Sequence, residues 1–181
     1  MTDDLLQGLM EHELEAACAQ IKAGGEYPAR FIAMNDEREV FYIVTPWGGE
    51  RDKLATLEFL RLFFIRHQVK RYVQVAEAWI VERGPDYKPG SEPPPGECAD
   101  RIETVFACGV DYSGVRMASV RINRDGDQVT FTEPDWAGSG KLSGRMTELL
   151  PRGSERLSLW DQAKIDSIFA EMGGEQKRWM H

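Results

Sequence analysis

A chain of 181 residues with 30 acidic and 22 basic side chains carries a formal net charge of −8. It can bury roughly 70% of its unfolded surface in one core, and it lacks the basic face that nucleic-acid binding needs. No apolar run reaches the ~18 residues of a membrane span, the start MTDDLLQ is acidic where a signal peptide is basic, and Cys18, Cys98 and Cys108 have no paired spacing, so a cytoplasmic protein with free thiols is expected.

Residues 2–23 carry a helical pattern in which Leu5, Leu6, Leu9, Met10, Leu14, Ala17 and Ile21 recur at three- and four-residue steps. Gly24-Gly25 stop it, Thr2 is placed to cap it, and Asp3 and Asp4 complement the positive end of its dipole. His12 among Glu11, Glu13 and Glu15 reads as a solvated helix face. Two strands follow, YPARFIAMN and REVFYIVT, joined around Asn35-Asp36-Glu37 as a hairpin.

Residues 50–68 form the second predicted helix. Leu54, Leu57, Phe59, Leu60, Leu62, Phe63, Phe64 and Ile65 spread too widely for one face. A helix apolar on most sides is covered on more than one side, so this one should lie between the sheet and either the first helix or a second subunit.

The next strand, over 72–82, contains VQVAEAWIV. Alternation puts Val73, Val75, Glu77, Trp79 and Val81 on one side and Tyr72, Gln74, Ala76, Ala78 and Ile80 on the other. The helix phenylalanines need small residues beneath them, which assigns Ala76 and Ala78 to the helix side. Glu77 and Trp79 then share the opposite, mixed face with Val105, Ala107, Met117, Ser119 and Arg121. That face is apolar enough to need cover by another element or a partner. A dry, unpaired carboxylate costs several kcal/mol, so Glu77 needs a donor, for which Arg121 or Arg116 serve. The bland reading is an ion pair fixing register. The functional one is an acid, base or ligand anchor (Glu77, Trp79, Arg121) under the 85–100 loop as a lid, with Glu103 or Asp111 as a second carboxylate.

That loop, GPDYKPGSEPPPGE, is too proline-rich for a sheet interior. From 101 to 133 a meander is expected. Asp125-Gly126 signals a type I′ turn pairing Ile122 with Val129 and Val120 with Phe131. Tyr112-Ser113-Gly114 suits a three-residue turn, which puts Phe106, Cys108 and Val110 on the face of Val120 and Ile122; a two-residue turn would slip the register by one. AGSGKLSG reads as a small-residue loop, and Ser158-Leu-Trp-Asp161 as a capping box opening a helix with the stripe Ile165, Ile168, Phe169 and Met172. Residues 1–172 then make one domain, with 173–181 a flexible tail.

Other motifs are thin. Gly48-Gly49 before a helix can cradle an anion on backbone N–H groups, but Glu50 and Asp52 already satisfy the helix dipole, and a flexible joint explains the glycines. Gly138-Ser139-Gly140-Lys141 fails as a phosphate loop, since Asp135 and Leu142 stand at required positions. His12, His67 and His181 lie on separate elements, without metal-ligand spacing, and no cofactor motif is present.

Over roughly 71–124, VAEAWIVE, the proline-rich loop and RIETV make the chain resemble small uncharacterised bacterial proteins with a Glu-Ala-Trp strand, a proline-containing loop and a strand opening near Arg-x-Glu. The resemblance implies that Glu77, Trp79 and Glu103 belong to a shared core or surface design, and carries no activity. The expected fold is α+β, a mostly antiparallel sheet of five to six strands in the order α-β-β-α-β-β-β-β-α, with a parallel crossover around the second helix permitted. Two functions follow: a homodimer or other protein-protein association without catalysis, or a small-ligand-binding protein or hydrolase at Glu77 and Trp79.

Overall fold

The computed structural model describes residues 4–45, 49–82, 93, 95–140, 147–153 and 155–178, without the side chains of 50, 95 and 138–140. In chain order the elements are α1 (Leu5–Lys22), β1 (Arg30–Met34), β2 (Glu39–Val44), α2 (Glu50–Arg66), β3 (Arg71–Ile80), a 3-10 turn (Pro95–Glu97), β4 (Ile102–Asp111), β5 (Gly114–Asp125), β6 (Gln128–Phe131), β7 (Asp135–Gly140), α3 (Leu159–Glu171) and β8 (Glu175–Arg178). The fold is α+β, with one eight-stranded sheet in place of the five or six strands expected. Its order is β6-β5-β4-β3-β1-β2-β8, with β7 also paired to β5. All pairings are antiparallel. β2 and β3 nonetheless point the same way, because both flank β1 antiparallel, and α2 makes the crossover between them.

The two additional strands are ones that side-chain alternation does not mark. β7 falls in the glycine-rich stretch read as a loop. β8 falls in the segment read as a flexible tail, and all four of its residues are exposed. Backbone pairing to β2 holds it, with Gln176 donating to Glu39 at 3.0 Å and the Lys177 ammonium 5.0 Å from the Tyr42 ring centre.

Alternation sorts the strands into two cores. On one face Ile32, Met34, Val40, Val73, Val75, Val105, Ala107, Ala118, Val120 and Ile122 meet the α1 stripe of Leu6, Leu9, Met10, Leu14, Ala17 and Ile21. On the other, Phe31, Ala33, Phe41, Ile43, Tyr72, Cys108 and Val110 meet Leu57, Leu60, Phe63 and Phe64 of α2, with Ile165 of α3 and Leu149-Leu150 closing the layer. The second cover on α2 is therefore α3 and the 149–150 segment, not α1, which occupies the opposite face. α1 approaches closely because β4 has Gly109 beneath it: a Cβ there would lie 2.4 Å from Met10 Sδ. Thr2 lies outside the described residues; the cap of α1 is Asp4, whose carboxylate accepts from Gln7 N–H at 3.1 Å and pairs with Arg116.

Both turn expectations need correction. β5 and β6 pair Ile122 with Phe131 and Asp125 with Gln128, so the turn is Gly126-Asp127, with the glycine at φ +58° in first position as in type II′. The shift is two residues, so Val120, Ile122, Val129 and Phe131 keep their common face. The β4–β5 turn is two residues, with Asp111 opposite Gly114. Asp111 accepts from Ser113 N–H at 2.7 Å, an Asx turn that closes the hairpin over Tyr112-Ser113. The one-residue slip sends Phe106, Cys108 and Val110 to the α2 face with Met117, away from Val120.

At α3 the cap is as expected, Asp161 N–H donating to Ser158 Oγ at 3.1 Å. Gly173 at φ +69° ends the helix, its N–H reaching the Ala170 carbonyl.

Candidate functional site

Three places carry the chemistry-bearing side chains. The first is the Glu77–Trp79 end of β3. Glu77 lies opposite Val105 and Trp79 opposite Glu103, on the sheet side that α1 covers further along. The Glu77 carboxylate accepts the Tyr27 backbone N–H at 2.7 Å, fastening the α1–β1 connection to β3. Trp79 is 44% exposed, with the Arg101 guanidinium 4.7 Å from its ring centre. Arg124 forks onto Glu103 at 2.6 and 2.9 Å, and this pair first, then the nearby Glu77 charge, raises the Arg124 pKa. Glu77, Trp79 and Glu103 are thus brought together, with Arg124 as the cation. Arg121 is not: it lies opposite Thr104, on the α2 side, and bonds Glu82. Met117 and Ser119 lie on that side too, while Arg116 serves Asp4. Of the proposed lid, residues 85–92 and 94 lie outside the described residues.

The second place escaped the sequence reading. Glu13 is 2% exposed, under α1 rather than on its solvated face. Tyr27 Oη donates to it at 3.1 Å, and the Tyr42 phenol lies near enough to interact with its charge. The Arg30 guanidinium lies 3.9 Å from the Tyr27 ring centre. Burial raises the Glu13 carboxyl above its ordinary value, against the pull of Tyr27 and the charges of His12 and Arg30. Burial and the neighbouring Glu13 charge push the Tyr42 phenol up to about 12. The protonated Tyr27 phenol therefore acts as the donor that ties α1 to the entry of β1, with the Tyr42 phenol of β2 nearby. The signal was present, since Glu13 sits three residues after Met10 and four before Ala17, on the apolar stripe.

The third is the α2–α3 layer. The His67 ring lies between Phe41 and Phe63, with centroids 4.6 and 4.3 Å away, and its Nε2 is 3.3 Å from Asp166 of α3. Arg66 reaches the same carboxylate at 3.0 Å. Arg61 Nη1 donates to the Leu149 and Leu150 carbonyls, and its Nη2 reaches both carboxylate oxygens of Glu155 at 2.8 Å. Around these ties, large apolar side chains face outward: Leu54 and Leu62 on α2, and Leu159 and Trp160 at the start of α3.

Of the proposed anion cradle, Gly48 lies outside the described residues; Gly49 is the N-cap of α2, with no side-chain cap bond. Among the described residues no group of three His, Cys, Asp or Glu side chains is placed to hold a metal, and no helix is long and apolar enough to cross a membrane. Compared with protein-family models, curated proteins and solved structures, the chain matches none.

Proposed function

We propose that this is a cytoplasmic protein that works by association rather than by chemistry, with the α2–α3 layer as its docking face and a second copy of the chain as its partner. The observation that carries the reading is the exposure of Trp160 and Leu159, 71% and 84%, on the layer where Leu54 and Leu62 also face outward. Burying one such side chain gains about 1.5–3 kcal/mol, and tryptophan is among the residues most enriched at the energetic centres of interfaces. The groove between α2 and the 148–152 segment is rimmed by Glu58 and Glu148 with Arg61 and Arg152. That mixed charge suits a two-fold contact, in which one patch must complement itself.

The test is sedimentation or light scattering from nanomolar to high micromolar protein, with Trp160→Ser and Leu62→Glu beside the parent chain. Both positions are exposed, so the fold should survive. A dimer weakened at least tenfold by either change is expected; a parent chain that stays monomeric throughout overturns the proposal.

A further inference from the structure

On the opposite side of the sheet, a groove of about 380 Å3 runs between α1 and β5–β7. Its floor is apolar: Leu14 from α1, Val120 from β5, Phe131 from β6 and Trp136 from β7. Its rim is acidic, with Glu11, Glu15 and Glu133, and among the described residues no lysine, arginine or histidine lines it. Gln7 donates to Glu11 at 2.8 Å, a neutral contact that orients the carboxylate without cancelling its charge. Among the described residues neither Glu15 nor Glu133 is in an ion pair. The Cys18 thiol also faces the groove, and burial raises its pKa, so it adds neutral surface.

We propose that this groove binds a small organic cation, an amine or guanidine carried on an aromatic or branched aliphatic body. The apolar body fills the floor against Phe131 and Trp136, and the charged end meets the three carboxylates. The volume lies in the range of small-ligand sites. An anion would meet three like charges, and a neutral body would leave the acidic rim unused. Indole and phenyl faces also attract a cation directly. The groove lies on the α1 side of the sheet and does not depend on how the α2–α3 layer is used.

The test is calorimetric titration of the full chain with tryptamine, phenethylamine and isoamylamine, against indole-3-propionate and 3-methylindole as anionic and neutral counterparts. The amines should bind, and binding should weaken with added salt. Glu15→Gln with Glu133→Gln should cost at least tenfold while circular dichroism is unchanged, since both positions are exposed. Trp136→Ala should reduce binding of all the amines. Equal binding of the neutral or anionic counterpart overturns the proposal. So does an absence of amine binding to ~10 mM, the weak end of specific recognition, or binding by a lysine-rich peptide alone.

Discussion

Replacing Gly109 by alanine tests how closely α1 sits on the sheet. The new Cβ would lie 2.4 Å from Met10 Sδ, 3.0 Å from Met10 Cγ and 3.1 Å from Leu6 Cδ1. Both side chains are essentially buried, so neither can swing into solvent. Overpacking of this kind costs about 1–3 kcal/mol. Alanine is the better residue for a strand interior by roughly 0.5–1 kcal/mol, which leaves a net loss of up to about 2.5 kcal/mol. Urea unfolding followed by tryptophan fluorescence would read it as a lower midpoint at unchanged slope. Thermal unfolding would read it as a fall of about 2–4 °C for each kcal/mol in a chain of this size. In a Met10→Ala background the same change should cost nothing or stabilise, because the sulfur is gone and the cavity accepts the methyl group. A Gly109→Ala protein more stable than the parent, as strand propensity alone would make it, would refute the close approach.

Three further outcomes follow from the polar groups. Glu13 titrates above its ordinary value in the folded chain, so the native state holds that proton more tightly than the unfolded one. The associated stability is fully present below the unfolded value near 4.5 and is lost as pH rises through the native one; Glu13→Gln should remove this slope, gaining stability relative to the parent at neutral pH but not in acid. Burial lowers the His67 pKa in spite of Asp166, so the unfolded chain takes up the proton first, and stability should fall as pH drops below the unfolded value of 6.5. Urea midpoints for His67→Phe that retain that slope would assign it elsewhere. Glu77→Ala strands the Tyr27 N–H and should cost about 1–3 kcal/mol, whereas Glu77→Gln keeps an acceptor and should cost less; equal losses would mean that the charge, not the hydrogen bond, matters.

The reach of the sequence is clearest where two signals met one outcome. Apolar residues at helical spacing marked α1, α2 and α3, and most of those residues enter the cores, Leu54 and Leu62 of α2 excepted. Alternation in β3 separated the Val73–Val75 side from the Tyr72 side, which stacks on Phe64 with centroids 5.0 Å apart. Arg121 shows the limit. Its side of the sheet hung on whether a turn held two or three residues, and the Asp111 carboxylate, accepting from both the N–H and the hydroxyl of Ser113, closes the two-residue turn. One residue of slip took Arg121 off the face of Glu77, where it was expected as the donor, and left Arg124, paired with Glu103, as the cation there. Glu13 shows another limit: a charge on an apolar stripe reads as solvated until Tyr27, which donates to it, is known to be there.

Periodicity is a local property, and it determined by itself which segments became helices, which became the main strands, and which side chains each must hide. Partnership is not local. That α1 and α2 take opposite faces, that polar β8 joins the edge of β2, and that acidic side chains rim an apolar groove beside Trp136 were decided by the tertiary structure. A strand edge pairs through backbone N–H and C=O groups common to every sequence. A groove is made by residues far apart in the chain, whose joint position no window of sequence contains.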